Sequence, residues 1–448
     1  MGKYFGTDGI RGVFDDFLNV DIARRCGNAL GASRLGARIV LGGDTRATRD
    51  LITSAFSLGA MEAGAKIVDV GICTTPGISY LTKKLRADFG VVVSASHNPP
   101  EYNGIKIFDY NGIKLSDEQE EKIENEFQKY TKLDGFSVGR FLQSEDVVKK
   151  YEDYLVKCSD TKLRGLKVVV DASNGAAYKI APNVLRRLGA EVVEIHCTSD
   201  GKNINVGCGA LHPESVCEAT VRSGADMGIA LDGDADRIIA CDEKGNVIDG
   251  DMMIYMLAKY LKSEGKLIYD TLVGTKQTNK GLEEELKSLG IDLLRSDIGD
   301  KYVIEMIEQN GLNFGGEKVG HIIFRDLAST GDGILTAIKL CEMMKKEHKK
   351  LSELSQVKLY PQRNIDCLVR DKERVMQNEN LKMQIEYLTE ALGDKGRLLV
   401  RPSGTEPKVR VMVECEDENL ANFYAEQLAT TVSEIDYCLM DEEVQMLK

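Results

Sequence analysis

In the passage VVVSASHNPPEYNGIKIF, residues 91–108, an apolar run ends in Ser94, Ser96 and His97 and continues to Lys106. A serine hydroxyl in a cleft can carry a phosphoryl group when cations neutralise it and a base takes its proton; His97 and Lys106 are the local candidates. Neighbouring Ser and His side chains on a strand point apart, and no G-x-S-x-G elbow surrounds them, which disfavours acyl transfer. In IALDGDADRIIACDE, residues 229–243, Asp232, Asp234 and Asp236 recur at every second position, so an extended backbone would turn three carboxylates to one side. Such a cluster is costly without a cation. Hard oxygen ligands favour Mg²⁺ or Ca²⁺, with a phosphate oxygen filling an open position. Arg237 stands where a helix–loop–helix calcium site needs glycine, and the flanks read as strands, which excludes that loop type.

Two further loops carry polar groups suited to sugars and phosphates. NFGGEKVGHIIF, residues 313–324, offers Glu317 and His321 to sugar hydroxyls among glycines that let a ligand approach the backbone. RPSGTEPKVR, residues 401–410, sets Arg401, Ser403, Thr405 and the backbone N–H groups around Gly404 in one turn, a combination that cradles phosphate, with Arg410 following on the next strand.

The elements that position these loops repeat. EAGAKIVDVG (62–71), RLGAEVVEIH (187–196) and SLGIDLLRSD (288–297) each pass from a helix end through glycine into an apolar strand. Downstream of each, ADFGVVVSASHNP (87–99), ADMGIALDGDADR (225–237) and GLNFGGEKVGH (311–321) carry a glycine and a few strand-like or small residues, then a polar loop. The pattern predicts three related α/β units with mixed, largely parallel sheets, whose loops at the carboxyl ends of strands face one central cleft. From about residue 367 the order strand, helix, strand, strand, helix, with alternation in KVRVMVE, predicts a smaller C-terminal α+β domain.

Composition limits the partners. With 58 basic against 71 acidic residues the net charge is −13, which argues against electrostatic capture of nucleic acid or an anionic membrane, so any phosphate must be held locally. The absence of tryptophan removes the usual stacking platform for single strands. No window approaches a membrane span and no signal segment opens the chain, so a cytoplasmic location without membrane insertion is expected. Eleven cysteines without a CxxC pair read as reduced thiols.

Five motifs in order, FGTDGIRG at 5–12, SASHNP at 94–99, DGDADR at 232–237, GEKVGH at 316–321 and RPSGTEP at 401–407, make the chain resemble the α-D-phosphohexomutase superfamily over essentially its whole length. Asp8, NINVGCGALHPE (203–214), GDKYV (299–303) and STGDGIL (329–335) resemble its phosphoglucosamine mutase branch. The resemblance implies four domains, at 1–156, 157–253, 254–366 and 367–448, and reversible conversion of glucosamine 6-phosphate to glucosamine 1-phosphate. It further implies that Ser96 is the phosphorylated nucleophile, aided by His97, Lys106 and Arg11, and that Ser96 with Asp232, Asp234 and Asp236 holds one Mg²⁺. Arg237, Lys301, Glu317 and His321 would bind the sugar, and Arg401, Ser403, Gly404, Thr405 and Arg410 the phosphate that is not reacting. A hexose bisphosphate would serve as activator and intermediate. A homodimer and a diadenylate cyclase partner are also implied. Three positions depart from the branch: Lys318 and Val319 replace the usual Gln and Ser, TKQTN (275–279) replaces Thr-Val-Met-Ser-Asn, and Ala235 replaces a common Gly. A phosphomannomutase or phosphoglucomutase, a non-catalytic phosphosugar sensor and a phosphatase are the alternatives.

Overall fold

The computed structural model describes residues 4–6, 8–135, 137–403 and 406–446. The chain divides into two compact units, residues 1–277 with 291–356, and residues 278–290 with 357–448.

Three sheets build the first unit. The strand order of the first is Ile10–Val13, Tyr102–Phe108, Phe89–Val93, Arg38–Gly43, Lys66–Ile72, Arg140–Gln143. The second runs Val247–Ile248, Ile238–Asp242, Met227–Leu231, Lys167–Asp171, Glu191–Ile195, and the third Asp292–Ser296, Thr271–Thr275, Phe314–Gly316, Ile322–Phe324. Strands such as Phe89–Val93 and Met227–Leu231 are buried nearly throughout. That is what continuous apolar runs give when helices cover both faces of a sheet. The expected glycine punctuation is present: Gly64, Gly189 and Gly290 all take positive φ between a helix and the next strand.

The three reactive loops share one geometry. None of the three joins a strand to a helix; each joins an antiparallel pair. Phe89–Val93 returns as Tyr102–Phe108, Met227–Leu231 as Ile238–Asp242, and Phe314–Gly316 as Ile322–Phe324. The returning segments, IKIF, IIACD and IIF, are too short and too β-branched for helices and pair back onto the sheet. Because the first strand of each pair runs parallel to its other neighbour, the loop still leaves from a carboxyl end.

Helix starts next to these loops are fixed by side-chain caps. Thr74 accepts from the Gly77 N–H at the start of Thr75–Lys84, and Asp332 from the Leu335 N–H at the start of Gly333–Glu347. The latter helix is buried continuously from Gly333 to Met344.

In the second unit, strands Gln362–Leu368, Lys408–Cys415 and Gly396–Pro402 form an antiparallel sheet in that order. The alternation in KVRVMVE buries Val409, Val411 and Val413 against Leu381 and Leu388 of helix Glu379–Leu392 and Leu428 of helix Glu418–Met446. All eleven cysteines are free thiols. Among the described residues no helix is long and apolar enough to cross a membrane.

Candidate active site

Ser96 sits at the turn after Phe89–Val93 with φ +49, in the left-handed region. This conformation is rare for serine and overturns the expectation that Ser96 and His97 point apart: Ser96 Oγ lies 3.2 Å from His97 Nδ1. The same turn sends the Ser96 hydroxyl to Asp232 Oδ2, at 2.7 Å, where it donates.

The metal-ligand candidates also converge for a reason other than the one expected. DGDADR is a tight turn, not an extended run; the Ala235 N–H donates to the Asp232 carbonyl, and Ala235 has φ +58. That backbone explains why glycine is common at position 235. Alanine adopts it at a cost of about 1 kcal/mol, here fully buried with its carbonyl accepting from the Gly333 N–H. The turn gathers Asp232, Asp234 and Asp236 so that one oxygen of each lies within 4.8 Å of the others.

All three carboxylates are buried. Asp234 Oδ2 accepts from Thr75 Oγ1 at 2.6 Å and from Lys106 Nζ at 3.0 Å. Asp234 Oδ1 and Asp236 Oδ1 are buried with no hydrogen-bond partner among the described residues. Burial and the neighbouring Asp236 and Asp234 push the Asp232 carboxyl well above the ordinary range. Asp234 stays low despite burial because Lys106 and Thr75 favour its charge. Crowded, buried carboxylates with unused oxygens are the donor set of a hard divalent cation, so the residues present fit such an ion.

The cationic candidates surround this cluster. Lys106 Nζ pairs with Asp234, with Asp236 at 3.4 Å and with Asp8 at 3.2 Å. Those three carboxylates raise its ammonium despite burial. Arg11 pairs with Asp8 and donates to Asn98 Oδ1 at 3.1 Å. The Arg237 N–H donates to Asp232 Oδ1 at 3.1 Å and its guanidinium lies 3.2 Å from His97 Nδ1. Burial, Arg237 and Arg11 push the His97 imidazole down to about 4. Asp8 is held well below the carboxylate range by Lys106, Arg11 and Lys114, against the effect of burial.

The sugar-loop candidates stand beside them. Glu317 is buried, accepts from the Gly299 N–H at 3.1 Å, and has its carboxyl raised by that burial. His321 Nε2 accepts from the Gly331 N–H at 3.0 Å, which leaves Nδ1 facing Asp236 Oδ1 at 3.9 Å. A side chain at Gly331 would overlap the His321 ring. Lys318 is half-buried and Val319 is 45% exposed. Lys301 is not drawn into this group: its ammonium pairs with Asp117, at 2.7 Å, and lies over the Tyr302 ring.

In the second unit, Arg401 and Arg410 face each other directly across neighbouring strands. Like charges in this register repel, and the repulsion is met in part by Glu406 and Asp366, which pair with Arg410 at 3.1 and 3.7 Å. Burial and Arg410 lower the Arg401 guanidinium. The Ser403 N–H donates to the Lys408 carbonyl at 2.8 Å and the Ser403 carbonyl accepts from Lys372. Gly404 and Thr405 lie outside the described residues.

Residues that loop reading missed hold the site from behind. Asp44 and Arg46 form an ion pair with both side chains fully buried, and Ser94 Oγ donates to Asp44 while accepting from the Ser96 N–H. Thr75 and Asn205 touch the two reactive loops directly. The available signal was the run GGDTR, which places charge at the carboxyl end of the otherwise apolar strand Arg38–Gly43.

Family models of phosphoglucomutase/phosphomannomutase alpha/beta/alpha domains I, II and III match residues 2–134, 148–245 and 249–360, and that of the C-terminal domain matches 365–431. The chain is 45% identical over 447 residues to a phosphoglucosamine mutase of Alkaliphilus oremlandii, covering 97% of this chain and 99% of the relative. To that of Clostridioides difficile it is 44% identical over 445 residues, covering 97% and 99%. Its fold matches a phosphoglucomutase/phosphomannomutase family protein of Burkholderia thailandensis with a TM-score of 0.83 at 24% identity, over 96% of this chain and 97% of that one. An Aspergillus fumigatus N-acetylphosphoglucosamine mutase, solved in complex with GlcNAc-6P and magnesium, matches with a TM-score of 0.67 at 17% identity, over 97% and 96%. The chain therefore belongs to the phosphoglucosamine mutase family of the α-D-phosphohexomutase superfamily.

Proposed function

We propose that the chain interconverts glucosamine 6-phosphate and glucosamine 1-phosphate through a phosphoserine at Ser96 and a bisphosphorylated sugar, supplying amino-sugar precursors for the cell wall in the cytoplasm. The observation that carries this reading is the Ser96 hydroxyl, held in a left-handed turn 2.7 Å from one of three buried carboxylates with oxygens to spare. The amino sugar is supported by the near full-length relatives.

In this reading Asp232, Asp234 and Asp236 hold Mg²⁺ together with the Ser96 oxygen or its phosphate. The bound ion supplies positive charge that makes the phosphorus a better electrophile. Glu317, His321 and Arg237 receive the sugar, and Lys301, paired with Asp117, takes no part in that contact. Phosphoryl transfer breaks the bond between phosphorus and Ser96 Oγ and forms one to a sugar hydroxyl oxygen, while the hydroxyl proton ends on Ser96 Oγ. His97, whose Nδ1 lies 3.2 Å from Ser96 Oγ, Lys106 or His321 relays it. Arg11, Lys106 and Arg237 neutralise the phosphate meanwhile. The intermediate then presents its other phosphate, and the same bonds are remade in reverse, so Ser96 ends phosphorylated. Arg401, Ser403, Gly404, Thr405 and Arg410 grip the phosphate that is not reacting in either orientation. The implied homodimer and diadenylate cyclase partner belong to the same reading, and sedimentation alone and with a cyclase tests both.

The function is tested by ³¹P NMR on the purified protein with Mg²⁺ and a trace of hexose bisphosphate, offering glucosamine, glucose and mannose 6-phosphates separately, with Ser96→Ala as control. Fastest isomerisation of the glucosamine phosphate is expected. Faster turnover of glucose or mannose phosphate moves the assignment to a phosphoglucomutase or phosphomannomutase. Release of inorganic phosphate alone indicates a phosphatase, and no turnover refutes the enzyme reading.

A further inference from the structure

The carbonyl oxygens of Ser96 and Asn98 are each held from two sides. Arg46 Nη2 donates to the Ser96 carbonyl at 3.0 Å and to the Asn98 carbonyl at 2.7 Å. Asn205 Nδ2 donates to the same two oxygens, at 2.8 and 2.9 Å. Arg46 belongs to the sheet that carries Ser96, whereas Asn205 comes from the loop between strands Glu191–Ile195 and Met227–Leu231 of the sheet that carries the three aspartates. Asn205 thus ties the serine turn to the part of the chain that carries the second sheet.

The fit around Asn205 is close. Its own backbone has φ +62, a conformation asparagine tolerates better than most residues, and its N–H donates to the Ser173 carbonyl at 3.0 Å. The side-chain amide packs over Gly233, inside DGDADR: a Cβ at 233 would lie 3.0 Å from Asn205 Nδ2 and 2.5 Å from the Ser96 carbonyl oxygen. The pinned carbonyls matter because Ser96 holds a strained backbone. Relaxation to negative φ would rotate its peptide and swing Oγ away from Asp232, and such conformations persist only where the surroundings over-determine them.

We propose that Asn205 is a positioning residue for phosphoryl transfer: with Arg46 it fixes the Ser96 and Asn98 carbonyls, and so holds Ser96 in the left-handed turn from which its oxygen reaches the aspartate cluster. This rests on the phosphoserine reading of Ser96. Asn205 touches neither sugar nor phosphate in this account; it acts through the backbone of the nucleophile. Its loss lowers the rate at which Ser96 gains or gives a phosphoryl group and leaves sugar binding unchanged.

Asn205→Gly removes both donors and keeps the positive φ free of strain. Asn205→Asp keeps the shape but turns an oxygen, in place of two N–H donors, toward two carbonyl oxygens. The readout is the rate of Ser96 phosphorylation by a hexose 1,6-bisphosphate with Mg²⁺, followed by intact mass, beside kcat and KM for glucosamine 6-phosphate. Two neutral hydrogen bonds correspond to a loss of about 30-fold. Phosphorylation rate and kcat should fall by that factor in Asn205→Gly and further in Asn205→Asp, with KM within about threefold of wild type. A wild-type rate in Asn205→Gly overturns the proposal, as does a variant that melts earlier but retains its kcat, since that role is structural only. A wild-type chain that takes no phosphate from the bisphosphate refutes the phosphoserine reading itself, and this inference with it.

Discussion

Replacing Arg46 by methionine should be among the most damaging single changes near the serine turn, and the structure says how the damage divides. Both members of the Asp44–Arg46 pair have fully buried side chains, and the guanidinium also donates to the carbonyls of Ser96, Asn98, Pro99 and Tyr102. Removing one partner of a buried pair leaves an uncompensated charge, at about 3–5 kcal/mol. Asp44 already lies above the ordinary carboxylate range because of its burial, with Arg46 opposing the rise. Without Arg46 it rises further and protonates. Asp44→Asn alone should cost about 2 kcal/mol, since the guanidinium keeps its carbonyl acceptors. In the Arg46→Met background the same change removes the need to take up that proton and should return about 2 kcal/mol. The cycle therefore predicts a coupling of several kcal/mol, far outside additivity. Urea unfolding of the wild type and the three variants at pH 7.5 measures it, followed by far-ultraviolet circular dichroism because the chain has no tryptophan. Effects that add within about 0.5 kcal/mol would refute the account of a mutually compensated pair.

Three further outcomes are expected. Gly233→Ala places a Cβ 2.5 Å from the Ser96 carbonyl and should lower turnover by about 10²-fold or more with the fold retained by circular dichroism; near-normal turnover would contradict the close approach of the two loops. Lys318→Gln with Val319→Ser should change kcat/KM for glucosamine 6-phosphate by less than about fivefold, because backbone bonds from Gly250 to Lys318 and between Glu317 and His321 fix the loop; a change above about 30-fold in a substrate panel would show that these side chains read the sugar. Burial pushes the Asp332 carboxyl, which accepts from Tyr151 at 2.6 Å, up to about 6. Its folded-state value lies above the unfolded one, so the native state holds the proton more tightly, and this stabilisation is present below about pH 4 and lost as pH rises to about 6. Asp332→Asn should therefore gain stability relative to wild type across that window, by up to about 3 kcal/mol, and parallel melting curves from pH 4 to 8 would refute the assignment.

The repeating α/β architecture, the antiparallel character of the last domain and the four loops with chemistry in them can all be read from the order of residues. Those features are local: glycine after a helix, apolar runs as strands, and polar residues where strands end. Asp232, Asp234 and Asp236 were legible because three crowded carboxylates are costly without a cation, and Ser96 because of the motif around it. How they meet depends on the folded backbone. The left-handed backbones of Ser96 and Ala235 place Oγ and the carboxylates together, and neither follows from side-chain spacing on an extended strand. Asp44, Arg46 and Thr75 look like ordinary loop residues in the chain, and Asn205 like part of a motif without a role. Each serves the site by a hydrogen bond to a residue at least 50 positions away or, for Asp44, through Ser94. Such contacts depend on how the sheets pack, which one-dimensional periodicity does not encode, and it is this packing that turns a serine and three aspartates into one site.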